Sequence, residues 1–253
     1  MDIFQAIIIG IIEGFTEFLP ISSTGHMIVA SKFMGIEENN LVKAYEVIIQ
    51  FSAILAVAVI YRDKFHLSHL ELWKKLILAF LPLAIIGFLL KDYIKMLFSV
   101  QVVAIMFIVG GIIFLIVEKF YKEKEESIKN IDEITYKQAL IIGLVQILSL
   151  VPGTSRAGAT IIGGLLVGLN RETSASFSFL LAIPVMSAVS GYDLLKHYQE
   201  FSNVNITAFV IGFIVSFIVA YITVKLFLAF LNNFTFVAFG IYRIIFGIIL
   251  LSL

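Results

Sequence analysis

The chain has 253 residues, 60% of them apolar and only 14% charged, with no net charge and no cysteine. A water-soluble domain carries about 45–50% apolar and about 25% charged residues, so the bilayer must solvate much of this surface. Neutrality gives no sign of a nucleic-acid partner, and the absence of cysteine excludes disulfides and thiolate metal sites.

Asp2–Leu19 is the first apolar stretch. It lacks a basic leader and is interrupted by Glu13 and Glu17, so it is not expected to be a cleaved signal. PISSTGH follows, then a short run, Met27–Met34. At about 1.5 Å per residue, that run cannot cross a hydrocarbon core of about 30 Å. Irregular backbone at membrane depth survives only inside protein or beside a water-filled cavity, so the pattern predicts a re-entrant helix–loop–helix hairpin. Three spans follow, Leu41–Tyr61, Lys75–Leu90 and Val100–Phe120, and then a charged linker, 119–137. Tyr136–Val151, PGTSRAGAT and Ile161–Leu169 predict a second hairpin. Thr173–Leu195, Ile206–Leu231 and Phe234–Leu253 predict three more spans. Two ordinary kinked spans are the competing reading of the hairpins.

QAIIIGIIEGFTEFLPISS from Gln5 matches QALIIGLVQILSLVPGTS from Gln138 with one residue gapped, pairing Pro20 with Pro152 and Ser23 with Ser155. FSAILA at Phe51 resembles FSFLLA at Phe177. An odd span count per half inverts the second half relative to the first. The expectation is an all-α integral membrane fold with about six transmembrane helices plus two re-entrant helix–loop–helix hairpins in an inverted repeat. It forms one membrane domain: a half-repeat 1–118, the linker, and a half-repeat 138–253. Arg62, Lys64, Lys74, Lys75, the linker lysines and Arg171 fall on one face; Lys43, Lys91, Lys95 and Lys196 fall on the other, with Lys32 nearby. The excess of basic residues makes the first face cytoplasmic, with both termini on the other side.

Ionisable groups at membrane depth are costly and therefore functional candidates. Here they are Glu13, Glu17, His26, Glu46, Arg156, Lys225 and Arg243. Glu13 and Glu17 are four apart and share a helix face. They repel unless a divalent cation, an arginine or a shared proton intervenes; a purely structural pairing with Arg156 or Arg243 is the plainer alternative. Lys225 and Arg243 sit near span ends, where they snorkel or pair with Glu46. Ser22, Ser23 and Thr24 can cap the short second arm, whose amino end attracts anions. His26 adds a proton carrier. The second loop offers Gly153, Thr154, Ser155, Arg156, Gly158 and Thr160. Small residues admit a ligand close to the backbone, and the guanidinium fork suits phosphate oxygens. If the loops meet, Arg156 clamps a diphosphate, a serine beside a base can attack phosphorus, and the two glutamates can hold Mg²⁺ or Ca²⁺ or act as bases.

EGFTEFLPISSTGH (Glu13–His26) and PGTSRAGATI (Pro152–Ile161) resemble the two signatures of the undecaprenyl-diphosphate phosphatase family, the bacitracin-resistance membrane proteins. The likeness extends through YEVIIQFSAILAV, FSFLLAIP and IYRIIFG. It implies hydrolysis of C55 isoprenyl diphosphate to undecaprenyl phosphate and inorganic phosphate. It also implies a divalent cation, an outward-facing site, the bacterial inner membrane and a role in bacitracin resistance. Glu13 and Glu17 fall on the acidic pair, Ser23 on the proposed nucleophile and His26 on the motif histidine. Ser155, Arg156 and Thr160 fall on the phosphate-binding loop; Gly153 and Thr154 beside them, and Ser22 of the first loop, are further phosphate-binding candidates. Ala157 departs from a serine common among relatives. Another lipid phosphatase class shares Ser-Gly-His and Ser-Arg motifs, but needs a histidine soon after the arginine; here the next is His197. The expected partners are the polyprenyl diphosphate and membrane lipids, with room for a homodimer. A lipid-phosphate flippase or ion-coupled transporter on the same repeat is the alternative class. His26 as nucleophile, or metal-activated water, competes with Ser23.

Overall fold

The computed structural model describes residues 1–37, 39–197 and 205–252. Leu253, the expected end of the last span, and the side chains of Lys196 and His197 lie outside the described residues. Helix accounts for the architecture: α1 Ile3–Thr16, α2 Ser23–Phe33, α3 Asn40–Ile60, α4 Leu70–Leu89, α5 Lys91–Met96 and α6 Val100–Phe120 precede the linker. After it come α7 Tyr136–Gln146, α8 Arg156–Leu166, α9 Arg171–His197, α10 Ile206–Leu231 and α11 Val237–Leu251. No strand occurs among the described residues; one isolated bridge joins Ile128 to Leu169.

Four segments are long and apolar enough to cross a membrane: Leu67–Leu89, Val100–Phe120, Arg171–Tyr192 and Ile206–Leu231. Three of these bury only 22–33% of their apolar window, whereas Arg171–Tyr192 buries 61%. Exposed Ile and Leu side chains are stable facing hydrocarbon, so three of these helices face lipid and α9 runs through the centre. There Phe177, Phe179, Leu180 and Leu181 are fully buried.

Helices occur at all six expected spans, although Tyr45–Ile60 and Val237–Leu251 fall among the shorter apolar segments; three differences stand out. The second arm of the first bend begins at Ser23, not Met27, because SSTGH already forms the first turn of α2. The second arm after PGTS likewise begins at Arg156, not Ile161. A short helix, α5, joins the second and third spans.

The repeat is also more regular than the gapped alignment. Ile3 to Tyr136 and Ser23 to Arg156 are both steps of 133 residues, and α2 and α8 match at both ends. Asp2 and Thr135 cap α1 and α7 with the same capping box, closed by Gln5 and Gln138. Gly10 lies against the Gly212 carbonyl and Gly143 against that of Ala79, again one step of 133 apart. These missing side chains let α1 approach α10, and α7 approach α4. Each half thus packs its first helix on the other half. With no gap, Ser22 answers to Ser155 and Ser23 to Arg156, which corrects the pairing of Ser23 with Ser155. Backbone geometry agrees: Ser22 has φ 66° and Ser155 φ 73°, and each immediately precedes its helix. Left-handed non-glycine residues are uncommon and cluster at functional bends.

On the linker side, Lys64 Nζ donates to Asp132 at 2.7 Å, His69 Nδ1 lies 3.1 Å from the same carboxylate, and Lys75 Nζ donates to the Asp132 carbonyl at 2.9 Å. Arg171 pairs with Glu118 at 2.6 Å. Basic residues expected on one face are therefore gathered with the linker.

Candidate active site

The two bends meet. Glu17, the residue after α1, accepts a hydrogen bond from Ser23 Oγ on Oε2 at 2.6 Å. Its other oxygen takes Arg156 Nη2 at 3.0 Å. A hydroxyl, a carboxylate and a guanidinium contributed by both halves thus form one line. All three are largely buried, the Glu17 and Arg156 side chains being 8% and 11% exposed. The left-handed backbone of Ser22 starts α2 without any side-chain cap, and the Ser23 hydroxyl in the first turn faces Glu17. Ser155, by contrast, caps α8 in the expected way, accepting from the Gly158 amide at 3.0 Å.

Arg156 is aimed by α9 as well. Its Nη1 donates to the Ser178 carbonyl at 2.9 Å, and its guanidinium lies 5.8 Å over the Phe18 ring. Its Nε is buried and has no acceptor. Both carboxylate oxygens of the fully buried Glu13 also lack a partner. Buried polar groups are nearly always paired, so Arg156 Nε is a donor open to an anion, and the Glu13 oxygens are acceptors open to a cation or to a proton shared with Glu17.

Between the bends lies a cleft of ≈ 240 Å³, whose lining includes Glu17, Ser22, Ser23, Gly153, Ser155 and Arg156. Gly153 has φ 91°, and a side chain there would strike the Val103 carbonyl at 2.6 Å, so glycine is required. Thr154, Thr160 and Glu13 do not line the cleft. The Thr154 hydroxyl donates to the Val151 carbonyl at 2.7 Å. That of Thr160 bonds the Arg156 carbonyl at 2.9 Å and lies 2.6 Å from Ser178 Oγ, which supports Arg156 from behind. Ala157 is fully buried against the core.

His26 is not brought to the cleft. Its Nδ1 lies 2.8 Å from the Ser22 carbonyl and its Nε2 2.6 Å from the Tyr242 hydroxyl. It stacks on Phe246 with centroids 4.5 Å apart. Lys225 sits 4.4 Å over the Tyr221 ring. Arg243 neither snorkels nor pairs with a carboxylate: it is fully buried and donates to five backbone carbonyls. Gln50 and Ser149 also line the cleft and were missed. Gln50 was visible as an amide inside an apolar span, but a search for ionisable groups passes over it.

A family model described as Bacitracin resistance protein BacA matches residues 6–249. A protein of Sulfurovum sp. (strain NBC37-1) is 71% identical over 253 residues, 100% of both chains. One of Sulfurimonas denitrificans is 64% identical over 252 residues, 99% of this chain and 98% of its own. One of Methanococcus aeolicus is 55% identical over 251 residues, with the same shares. Each carries the name undecaprenyl-diphosphatase.

Proposed function

From the premise that the chain belongs to the bacitracin resistance protein BacA family, we propose that it hydrolyses undecaprenyl diphosphate to undecaprenyl phosphate and inorganic phosphate at the cleft between its two bends. The observation that carries the site is the Ser23–Glu17–Arg156 line. A hydroxyl held 2.6 Å from a carboxylate is an activated nucleophile, and a guanidinium beside it stabilises charge on the equatorial phosphate oxygens.

Ser23 attacks the terminal phosphorus as Glu17 accepts its proton, and the lipid monophosphate departs. The departing monophosphate takes that proton from Glu17; water then attacks the Ser23 phosphoester with Glu17, ionised again, as base, and Glu17 returns the proton to Ser23 Oγ as inorganic phosphate leaves. Arg156 turns its Nη2 from Glu17 toward the incoming phosphate, which its unpaired Nε also meets. Ser22, Gly153 and Ser155 line the remainder of the phosphate's path. His26, held between Ser22 and Tyr242, fixes the first bend rather than carrying the Ser23 proton. Glu13 and Glu17 would hold a divalent cation, Mg²⁺ or Ca²⁺. The orphaned Glu13 oxygens fit such an ion, and no cluster of three or more acidic or histidine side chains occurs among the described residues. The ion supplies charge neutralisation at the diphosphate oxygens when bound.

The arms at the bends, α1, α2, α7 and α8, are joined in pairs by the polar bends inside the protein and are read as two re-entrant hairpins; α3, α4, α6, α9, α10 and α11 are read as the six spans of an inverted repeat. Packing of each half's first helix on the other half supports that reading. The cleft reaches Phe98, at the end of α6 remote from the basic linker. With that linker on the cytoplasmic face of the inner membrane, the site opens outward.

The test is phosphate release from a long-chain prenyl diphosphate by detergent-purified protein. Glu17→Gln and Arg156→Ala should each lower release by at least about 10²-fold while leaving the protein folded. Silence of the wild type across a metal titration would overturn the proposal. Trapping a phosphoenzyme and mapping the label to Ser23 would identify the nucleophile; label on His26, or none, removes Ser23 from that role.

A further inference from the structure

We propose that Arg243 is a positioning residue for the hydrolysis proposed above, a clamp that sets the two bends at working distance from one another. Its five N–H groups, the whole donor capacity of a guanidinium, each meet a backbone carbonyl. Nη1 donates to Pro20 at 3.1 Å and to Thr154 at 2.9 Å. Nη2 donates to Gly153 at 3.0 Å and to Met106 at 2.9 Å, and Nε to Phe107 at 3.4 Å. Pro20 lies three residues before Ser23; Gly153 and Thr154 lie three and two before Arg156. One planar group therefore joins both bends directly upstream of the nucleophile and its cation, and anchors them to α6.

The surroundings are shaped for this group. The guanidinium carbon sits 5.3 Å over the Phe107 ring. Gly110 faces the guanidinium so closely that a Cβ there would lie 2.7 Å from its central carbon and 3.1 Å from Nε. Gly110 is one 133-residue step before Arg243, so the two are counterparts in the repeat: one half supplies the arginine and the other the empty space beneath it. The preceding residue, Tyr242, binds His26, which holds the Ser22 carbonyl. Helix α11 thus grips the first bend at two adjacent points. The side chain does not itself line the cleft but holds the carbonyl of Gly153, which does, so its effect on chemistry passes through the backbone it holds. Loss of alignment between Ser23, Glu17 and Arg156 falls on the catalytic step more than on binding.

Steady-state kinetics and an activity-free distance measurement decide the proposal. The chain has no cysteine, so Ser31→Cys on α2 and Leu166→Cys on α8 give a clean spin-label pair. In the full-length protein, Gly110→Ala keeps the arginine and its charge but displaces the guanidinium. Arg243→Lys keeps the charge but offers only three donors. Both should lower kcat at least about tenfold with KM within about threefold, and both should broaden the α2–α8 distance distribution. Lysine should not rescue. Folded variants with wild-type kcat, or with lowered kcat and an unbroadened distribution, overturn the clamp. Should Arg243→Lys fail to fold, Gly110→Ala decides alone. Should the wild type release no phosphate, the phosphatase reading falls and the distance distribution still decides the clamp.

Discussion

The Glu17 carboxylate is asked to do two things at once, to receive a serine proton and to hold an arginine until phosphate arrives. Its replacement separates these duties from shape. Glu17→Gln preserves volume but cannot accept the proton, and should lower kcat by about 10²–10⁴, measured by phosphate release. Glu13 is the quieter case: nothing in the protein satisfies it. If a cation does, chelation by EDTA should abolish turnover, and Glu13→Gln should raise the Mg²⁺ concentration needed for half-maximal rate by at least about tenfold. Residue types and their clustering made Glu13, Glu17, Ser23 and Arg156 readable from the sequence, because charge inside an apolar chain is conspicuous. The same filter misassigned Arg243 and drew His26 into the cleft. Direction within a helix cannot be read from residue type: His26 follows Ser23 by three, yet α2 turns it toward α11.

Helix contacts here depend on absent side chains. Gly14 on α1 faces the Ser216 carbonyl of α10, and an added Cβ would fall 2.6 Å from it. Gly14→Val should therefore destabilise the protein by about 1–3 kcal/mol, seen as a lower unfolding midpoint in detergent. At the linker, burial would raise the Asp132 carboxyl, but hydrogen bonds from Lys64 and His69 outweigh it and hold the group below its ordinary value. A lowered value stabilises the fold above the unfolded carboxyl pKa of about 3.9, and that contribution disappears as pH falls through the folded value. Asp132→Asn should thus lower the unfolding midpoint at neutral pH, and its deficit against wild type should close below about pH 4. The side chain is 37% exposed, so solvent screening keeps the effect small. Apolar runs and prolines exposed these elements to sequence reasoning; their starts at Ser23 and Arg156 were missed because polar first turns resemble loops.

Two halves joined by residues 119–137 form a single interlocked body, since α1 rests on α10 and α7 on α4. Cutting the chain within the linker and co-expressing the two pieces should therefore restore a folded complex with phosphate release, whereas either piece alone should give none. Failure of the pair to copurify would count against the interlock. The duplication was visible in the sequence, but its register was not, because matching the prolines forced a gap that the backbone does not contain.

Left-handed serines stand at the same place in both halves, one 133-residue step apart. Where catalysis occurs, the twins have diverged: Glu13 stands opposite Gln146, Ser23 opposite Arg156, and Arg243 opposite Gly110. A symmetric pair of identical segments would have to place two serines or two arginines at that centre, and two arginines or two glycines at the clamp. A single polypeptide carrying both halves is free of that restriction, so attacker and stabiliser are encoded separately at equivalent positions.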